Sequence, residues 1–397
     1  MSGKPAQQFD VLIVGGGVTG SASACFLASD PTFNGKIAVV ERDPTYENSP
    51  SAKASGGFRQ QFSTPENIQI GLFGAHFVKH VGAYLSVDDD VPDLGFKEEG
   101  YLLLATAETL PLLNANNAVQ REQGADTEML TPVRLQQRFP WLNVDGLAGG
   151  CLGNSNEGWL DPYSLLQAYR RKALSLGVNY IHDTVTDVER SGARVSGVRL
   201  LGGSRLGAET VINTAGASGL KALSELVDLP MPVESRKRCT FVFNCREEIG
   251  LTPLTILPEG CAFRPEGTAF IVNYAPAPEN DPETNDTEIE HDHFEEQIWP
   301  LLAERIPAFE AVKTTSAYCC HYDVNTLDGN LIIDRHPEIE NFFFAGGFSG
   351  HGLQQSPAVG RAMSELVVHG GFKTLDLSRF GYERIASGKG IFETNCF

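Results

Sequence analysis

Asp10-Val11-Leu12-Ile13-Val14-Gly15-Gly16-Gly17-Val18-Thr19-Gly20-Ser21-Ala22-Ser23-Ala24 is the stretch on which the reading of this chain turns. Val11 to Val14 is a short, mostly β-branched apolar run that closes on glycines, the pattern of a buried parallel strand ending in a tight turn. Small and apolar residues from Ala22 to Ala28 predict a helix, and Lys36 to Val40 predicts a second strand ending on Glu41. In that setting Gly15 lets the chain turn sharply, Gly17 keeps side-chain bulk away from a pyrophosphate, and Gly20 lets the helix press on the strand. Phosphates would face the N–H groups at the positive end of the helix, where Val18 and Thr19 sit. Glu41, 21 residues after Gly20, can accept hydrogen bonds from ribose hydroxyls and would repel a 2′-phosphate, with Arg42 beside it. The motif alone does not separate NAD from FAD, although its place at the start of the chain leans towards FAD.

Working outward, a chain of 397 residues has room for two or three domains, or one large domain with an insert, and 42% hydrophobic residues suit a globular enzyme. The formal net charge of −19 leaves no electrostatic footprint for nucleic acid or an anionic membrane. No apolar run approaches the ~20 residues of a membrane helix. Met1 to Gln8 is short and polar, with neither a secretory core nor an Arg-rich transit helix, so a cytoplasmic location is expected. The eight cysteines show no CxxC pair and no metal spacing, which argues against a zinc site and for reduced, mostly buried thiols.

Residues 42 to 62 form a polar loop carrying Arg59, and Thr64-Pro65-Glu66 predicts a helix entry. Gly100 to Ala105 predicts a strand, Glu108 to Gln123 and Tyr163 to Leu176 predict helices, and Phe294 to Arg305 predicts another. A second buried strand, Thr210 to Thr214, runs into Ala215-Gly216-Ala217; it either lies against a cofactor or makes a tight strand-to-helix turn. From Val233 to Tyr274 the pattern becomes antiparallel, and Pro276 to Asp292 predicts an exposed acidic loop. Asn341 to Ala345 leads into Gly346-Gly347-Phe348-Ser349-Gly350-His351-Gly352-Leu353. A helix predicted over Pro357–His369 would point its N-terminus back at that loop and set a helix dipole beside a polar ring.

The early glycine motif, the Asn213-Thr214-Ala215-Gly216-Ala217 corner and the Gly347 to Gly352 corner together resemble the D-amino-acid oxidase-like flavoproteins. The branch is that of monomeric sarcosine oxidase and the sarcosine and dimethylglycine dehydrogenases. Gln60-Gln61-Phe62, Arg236-Lys237-Arg238, Tyr322-Asp323 and Leu375 to Ser378 are similar to the FAD-dependent oxidoreductase domain proteins of animal mitochondria. The resemblance implies an α/β fold: a Rossmann-like FAD-binding domain from residues 1–90, 150–230 and 325–397, and a second antiparallel-sheet α+β substrate domain from 91–149 and 231–324. It implies that Ser51, Ala54, Ser55 and Gly57 line the flavin, that Val185 bonds the adenine, and that Ala215 and Gly216 reach the pyrophosphate. Gly346, Gly347, Gly350, His351, Gly352 and Leu353 would surround the isoalloxazine. Arg59 matches a family arginine beside the flavin, Tyr322 a substrate-lining tyrosine, and Cys320 the cysteine that binds FAD covalently in monomeric sarcosine oxidase.

Two departures are visible. The family's substrate-carboxylate arginine and lysine correspond to Phe62 and Gln354, so a carboxylate would need Arg59, Arg264 or another base. The oxygen-activating lysine corresponds to Ile271, which favours electron transfer to an acceptor other than oxygen. The expected activity is FAD-dependent oxidation of a secondary or tertiary amine, an N-methyl or N-substituted amino acid, by hydride transfer to the flavin and hydrolysis of the imine, with Arg59, His351 and Tyr322 at the reacting centre and Arg59, Arg264, Tyr322 and Gln354 on this small-molecule substrate. Electrons would leave to oxygen or to a protein acceptor. A flavoprotein that keeps FAD only as a structural core, a D-amino-acid dehydrogenase and an NAD dehydrogenase are the other readings.

Overall fold

The computed structural model describes residues 7–250 and 252–394; Met1 to Ala6 and Cys396 lie outside them. The apolar run forms the strand Gln7–Val14 in the middle of a sheet. Ile37–Glu41 and Arg205–Asn213 flank it in parallel, with Val11 opposite both Ile37 and Thr210. The sheet continues to Asn179–His182 on one side, and to Phe342–Gly346 and the antiparallel Ile332–Arg335 on the other. Its central strands, Val11 to Val14, Ile37 to Val40 and Phe342 to Ala345, read as unbroken apolar runs because both faces are covered. Val11, Ile13 and Val39 pack under the helices Val18–Ser29, Pro162–Ser175 and Gly352–His369. The alternate residues Leu12, Val14, Ala38 and Val40 pack against the antiparallel strands Val185–Ser191 and Arg194–Leu200 and the helix Gly216–Glu225.

A second sheet runs in the order Val312–Asn325, Val233–Cys245, Ala269–Tyr274, Cys261–Glu266, Leu254–Ile256, Tyr101–Ala105, Gly149–Gly153, Thr127–Leu130. Every pairing in it is antiparallel except Leu254–Ile256 with Tyr101–Ala105. One of its faces packs on a phenylalanine-rich core, Phe241, Phe243, Phe263 and Phe309, under the helix Trp299–Arg305. The other face roofs the first layer. The molecule is therefore an α/β, Rossmann-like layer joined to a second, antiparallel α+β unit. Among the described residues no helix is long and apolar enough to cross a membrane.

Local departures from the sequence expectations have physical causes. The late helix begins at Gly352, and Pro357 lies inside it. Proline at 357 cannot donate to the carbonyl four residues back, and the Ser356 hydroxyl donates to that Leu353 oxygen at 2.8 Å. The polar loop 42–62 holds a short helix, Pro50–Lys53, and a strand, Gly57–Phe58, that pairs with Gly158–Trp159. The strand Gly149–Gly153 belongs to the second sheet, so a domain boundary drawn at 149/150 cuts through it. Helix Phe294 to Arg305 opens as a wider π turn over Phe294–Ile298.

Candidate active site and its cofactor groove

At the end of the central strand, Gly15 adopts φ +94°, and a Cβ there would lie 2.5 Å from the Thr214 carbonyl oxygen. A Cβ on Gly20 would lie 1.9 Å from the Gly15 carbonyl oxygen, which is why helix and turn can touch. The Thr214 hydroxyl donates to the Val14 and Gly15 carbonyls at 3.0 and 3.1 Å and fastens the second glycine corner to the first. Glu41 accepts from the Gly16 N–H at 2.7 Å and the Asp43 N–H at 2.8 Å, so its carboxylate is oriented by the backbone. Ser51 accepts from the Val18 N–H at 3.1 Å. A cavity of about 180 Å³ runs along these groups, lined by Gly15, Gly17, Val18, Thr19, Glu41, Arg42, Ser51, Ala54, Ala215 and Gly216, and then by Asp323, Gly350, Gly352 and Leu353. All three glycine corners meet on it. A side-chain-free cradle at a helix N-terminus, with a fixed carboxylate at its far end, fits the ADP half of FAD.

Ala54, Tyr322, Gly350 and Leu353 also wall a second cavity of about 330 Å³, which continues the groove under the second sheet. Its floor is Ser55, Gly57, Arg59, His351 and Gln354, and its roof includes Tyr101, Ala262, Asn273 and Arg238. Gly350 adopts φ +96°, and a Cβ on it would meet the Tyr322 ring at 2.4 Å, so glycine there lets the loop pass under that tyrosine. The Arg59 side chain bonds His351 Nε2 through Nη2 at 3.1 Å and lies over the Phe62 ring, 4.7 Å from its centre. Its backbone N–H donates to Gln354 Oε1 at 2.9 Å. Loss of water and the neighbouring Arg59 charge push His351 down to about 3, so its ring is neutral at physiological pH and its Nε2 is the acceptor.

Five residues expected at the site stand off the groove lining. Arg264 is buried beneath the roof beside a separate recess, donating to the Ser55 carbonyl at 2.7 Å, paired with Glu266 and set over Trp159; Ile271 shares that recess. Its charge is engaged by the scaffold, and the arginines on the cavity wall are Arg59 and Arg238. Val185 sits in the core where its strand pairs with Leu200, away from the groove lining. Gly346 and Gly347 shape the loop from behind, where the Gly347 N–H donates to Asp323 Oδ2 at 2.8 Å. Cys320 is buried between its strand and the Pro50–Lys53 helix, and burial pushes its thiol up to about 12. A neutral thiol off the cavity wall is a poor partner for a flavin methyl group. Acid precipitation is therefore expected to leave the yellow colour in the supernatant, and Cys320→Ser to retain full flavin content; colour that stays in the pellet of the unaltered protein alone would reverse this.

Three residues that the sequence did not place at the site matter as much. Glu157, fully buried, accepts from the Gln60 N–H at 2.6 Å and Gln61 Nε2 at 2.7 Å and holds the segment just after Arg59 from behind. Burial, against the help of these donors and Arg59, pushes its carboxyl up to about 7. Asp323, pushed up to about 6 by desolvation, lines the groove beside Tyr322 and accepts from the Gly347 N–H. Tyr101 closes the roof above Arg59, 5.5 Å from ring centre to guanidinium carbon.

A Rossmann-like layer, a glycine-walled groove and a roofed cavity at its inner end define a dinucleotide-dependent redox protein. The chain belongs to the family of FAD dependent oxidoreductases, whose model matches residues 10–366, and it is an FAD-dependent oxidoreductase. It is 42% identical over 425 residues to FAD-dependent oxidoreductase domain-containing protein 1 of Xenopus laevis, across 98% of this chain and 85% of that one. Monomeric sarcosine oxidase of Bacillus sp. (strain B-0618) is 24% identical over 97% of this chain and 98% of its own. The solved structure of L-proline dehydrogenase from P. horikoshii has the same fold, with a TM-score of 0.86 at 21% identity, covering 97% of this chain and all of that one.

Proposed function

We propose that the protein oxidises a secondary or tertiary amine, an N-methyl or otherwise N-substituted amino acid, in the cavity above Arg59 and below Asn273. The observation that carries this is the cavity itself: it continues the FAD groove, and its lining holds two arginines, Arg59 and Arg238, and no carboxylate. Such walls suit a substrate that carries a carboxylate and presents its nitrogen uncharged. The two more distant relatives are named for sarcosine and L-proline, both secondary amino acids. Residues 15–57, 215–216 and 350–353 would hold the cofactor, and FAD when bound supplies the acceptor for a hydride from the carbon next to nitrogen. The chain's own residues orient and desolvate: Tyr322 and Tyr101 exclude water, and the Arg59–His351 pair fixes the floor. The iminium product leaves to hydrolyse in water to a carbonyl compound and an amine.

No protein acid or base is needed, because the proton to be lost is that of the substrate ammonium and His351 is neutral throughout the working range. The reductive half-reaction is thus expected to accelerate with pH towards the amine's own pKa, with no limb from His351. Anaerobic mixing with a panel of N-methyl amino acids, D-amino acids and 2-hydroxy acids tests the reading. Bleaching of the flavin by the N-methyl compounds is expected; absence of bleaching by every amine would sink it. Phe62 and Gln354 in the place of charged anchors favour the second reading, a flavoprotein whose FAD is only structural, and that outcome would sustain it.

A further inference from the structure

We propose that Arg238 is the anchor for the substrate carboxylate, kept paired in the free protein by Asp281, whose place the substrate takes. The proposal rests on the amine-oxidation reading for its statement that the ligand is an amino acid. Of the two arginines on the cavity wall, Arg59 is engaged by His351 and packed on Phe62 and Tyr101 at the floor. Arg238 sits at the roof, its guanidinium carbon 5.4 Å from the centre of the Tyr322 ring that walls both cavities. Its Nη1 and Nη2 each bond one carboxylate oxygen of Asp281 at 2.7 Å, and Nη1 also donates to the Lys237 carbonyl at 2.8 Å. This two-pronged pairing is the one that a free α-carboxylate makes with arginine.

What distinguishes the pair from an ordinary ion pair is where its acid comes from. Asp281 belongs to the acidic loop, which leaves the second sheet at Tyr274 and Ala275, both on the cavity wall. The far part of that loop is fastened independently. Lys237 Nζ bonds Asp286 at 2.7 Å and Glu290 at 2.9 Å, and the Thr284 N–H donates to the Ser235 carbonyl at 2.8 Å. The segment from 276 to 282 can therefore lift while the rest stays on the sheet. Exchange of one carboxylate for another leaves Arg238 paired before and after, so the guanidinium is never stranded without a counter-charge. Arg238 thereby takes over the task that Phe62 and Gln354 cannot perform, and the loop's own aspartate sets a threshold that only a carboxylate-bearing ligand can cross.

The test uses the FAD-loaded full chain and two probes, an N-methyl amino acid, and pivalate, a carboxylate with no nitrogen to oxidise, followed by the shift it causes in the flavin spectrum. In Arg238→Gln the dissociation constant for both is expected to rise on the order of 100-fold, with the limiting rate of flavin reduction changed far less. In Asp281→Asn, which removes the competitor, both are expected to bind about tenfold tighter. Pivalamide, the uncharged counterpart, is expected to bind all three proteins alike. Unchanged carboxylate binding in Arg238→Gln overturns the assignment, as does weaker or unchanged binding in Asp281→Asn, which decides the matter by itself if Arg238→Gln does not fold. If pivalate behaves as stated and no amine bleaches the flavin, the anchor stands and the amine-oxidation reading falls; if amines bleach the wild type and Arg238→Gln equally, the reverse holds.

Discussion

Gly20→Val should yield a colourless protein. The Cβ of any residue at 20 would fall 1.9 Å from the Gly15 carbonyl oxygen, a backbone atom, and 2.7 Å from the Thr214 hydroxyl. Thr214 is itself tied to Val14 and Gly15, so relief requires the helix Val18–Ser29 to move off the strand. That helix cannot retreat, because on its other side Gly360 of the late helix approaches so closely that a Cβ there would be 2.6 Å from that of Ala22. The helix N-terminus would be displaced from the pyrophosphate cradle, and FAD affinity should fall on the order of 100-fold or more. Gly371→Ala, a glycine with open space around its Cβ position, is the matched control and should stay yellow. Flavin absorbance per protein after gel filtration reads both; a yellow Gly20→Val protein would refute this account of the turn.

The second large effect is expected at Glu157. Its folded carboxyl is pushed up to about 7 from an ordinary 4.5, so the folded protein holds this proton more tightly than the unfolded chain does. The sign follows directly. Below about pH 4.5 both states are protonated and the group makes no difference. As pH rises from there to about 7 the unfolded chain gives up its proton first, and stability falls. Above about 7 the whole cost of a buried carboxylate is present, roughly 3 kcal/mol at 1.36 kcal/mol per pKa unit. Glu157→Gln removes this titration. Melting curves should show wild type losing stability between pH 5 and 8 relative to the variant, with a gap of several degrees that widens steadily with pH. A gap independent of pH would mean that Glu157 does not titrate in that window.

Much of this architecture was legible because its chemistry is local. The run Val11 to Val14 with its glycines announces strand, turn and phosphate cradle, and Glu41 follows from the length of one helix and one strand. The start of the late helix was not legible, since Gly352 and Pro357 both read as breakers; only the Ser356 hydroxyl, supplying the donor that proline lacks, makes the longer helix acceptable. Arg264 stands out in the sequence by its charge, and charge alone does not say that Trp159, Glu266 and the Ser55 carbonyl already surround it. Glu157, flanked by Asn156 and Gly158, reads as one more turn acid. Its importance comes from Gln60 and Gln61, some 96 positions away, whose donors it accepts. Side chains that act through distant partners leave no mark on their neighbours in the sequence.

The walls of the groove come from residues 15–54, 214–217, 321–323 and 345–353. A ribosome making this chain must therefore pass residue 353 before the last wall exists. Until Gly350 and Leu353 have emerged, the nascent glycine cradle lacks one of its walls, so cofactor capture waits on that segment. Growth in riboflavin-poor medium should accordingly accumulate full-length polypeptide awaiting its prosthetic group, and premature stop codons ahead of residue 346 should give products that never turn yellow.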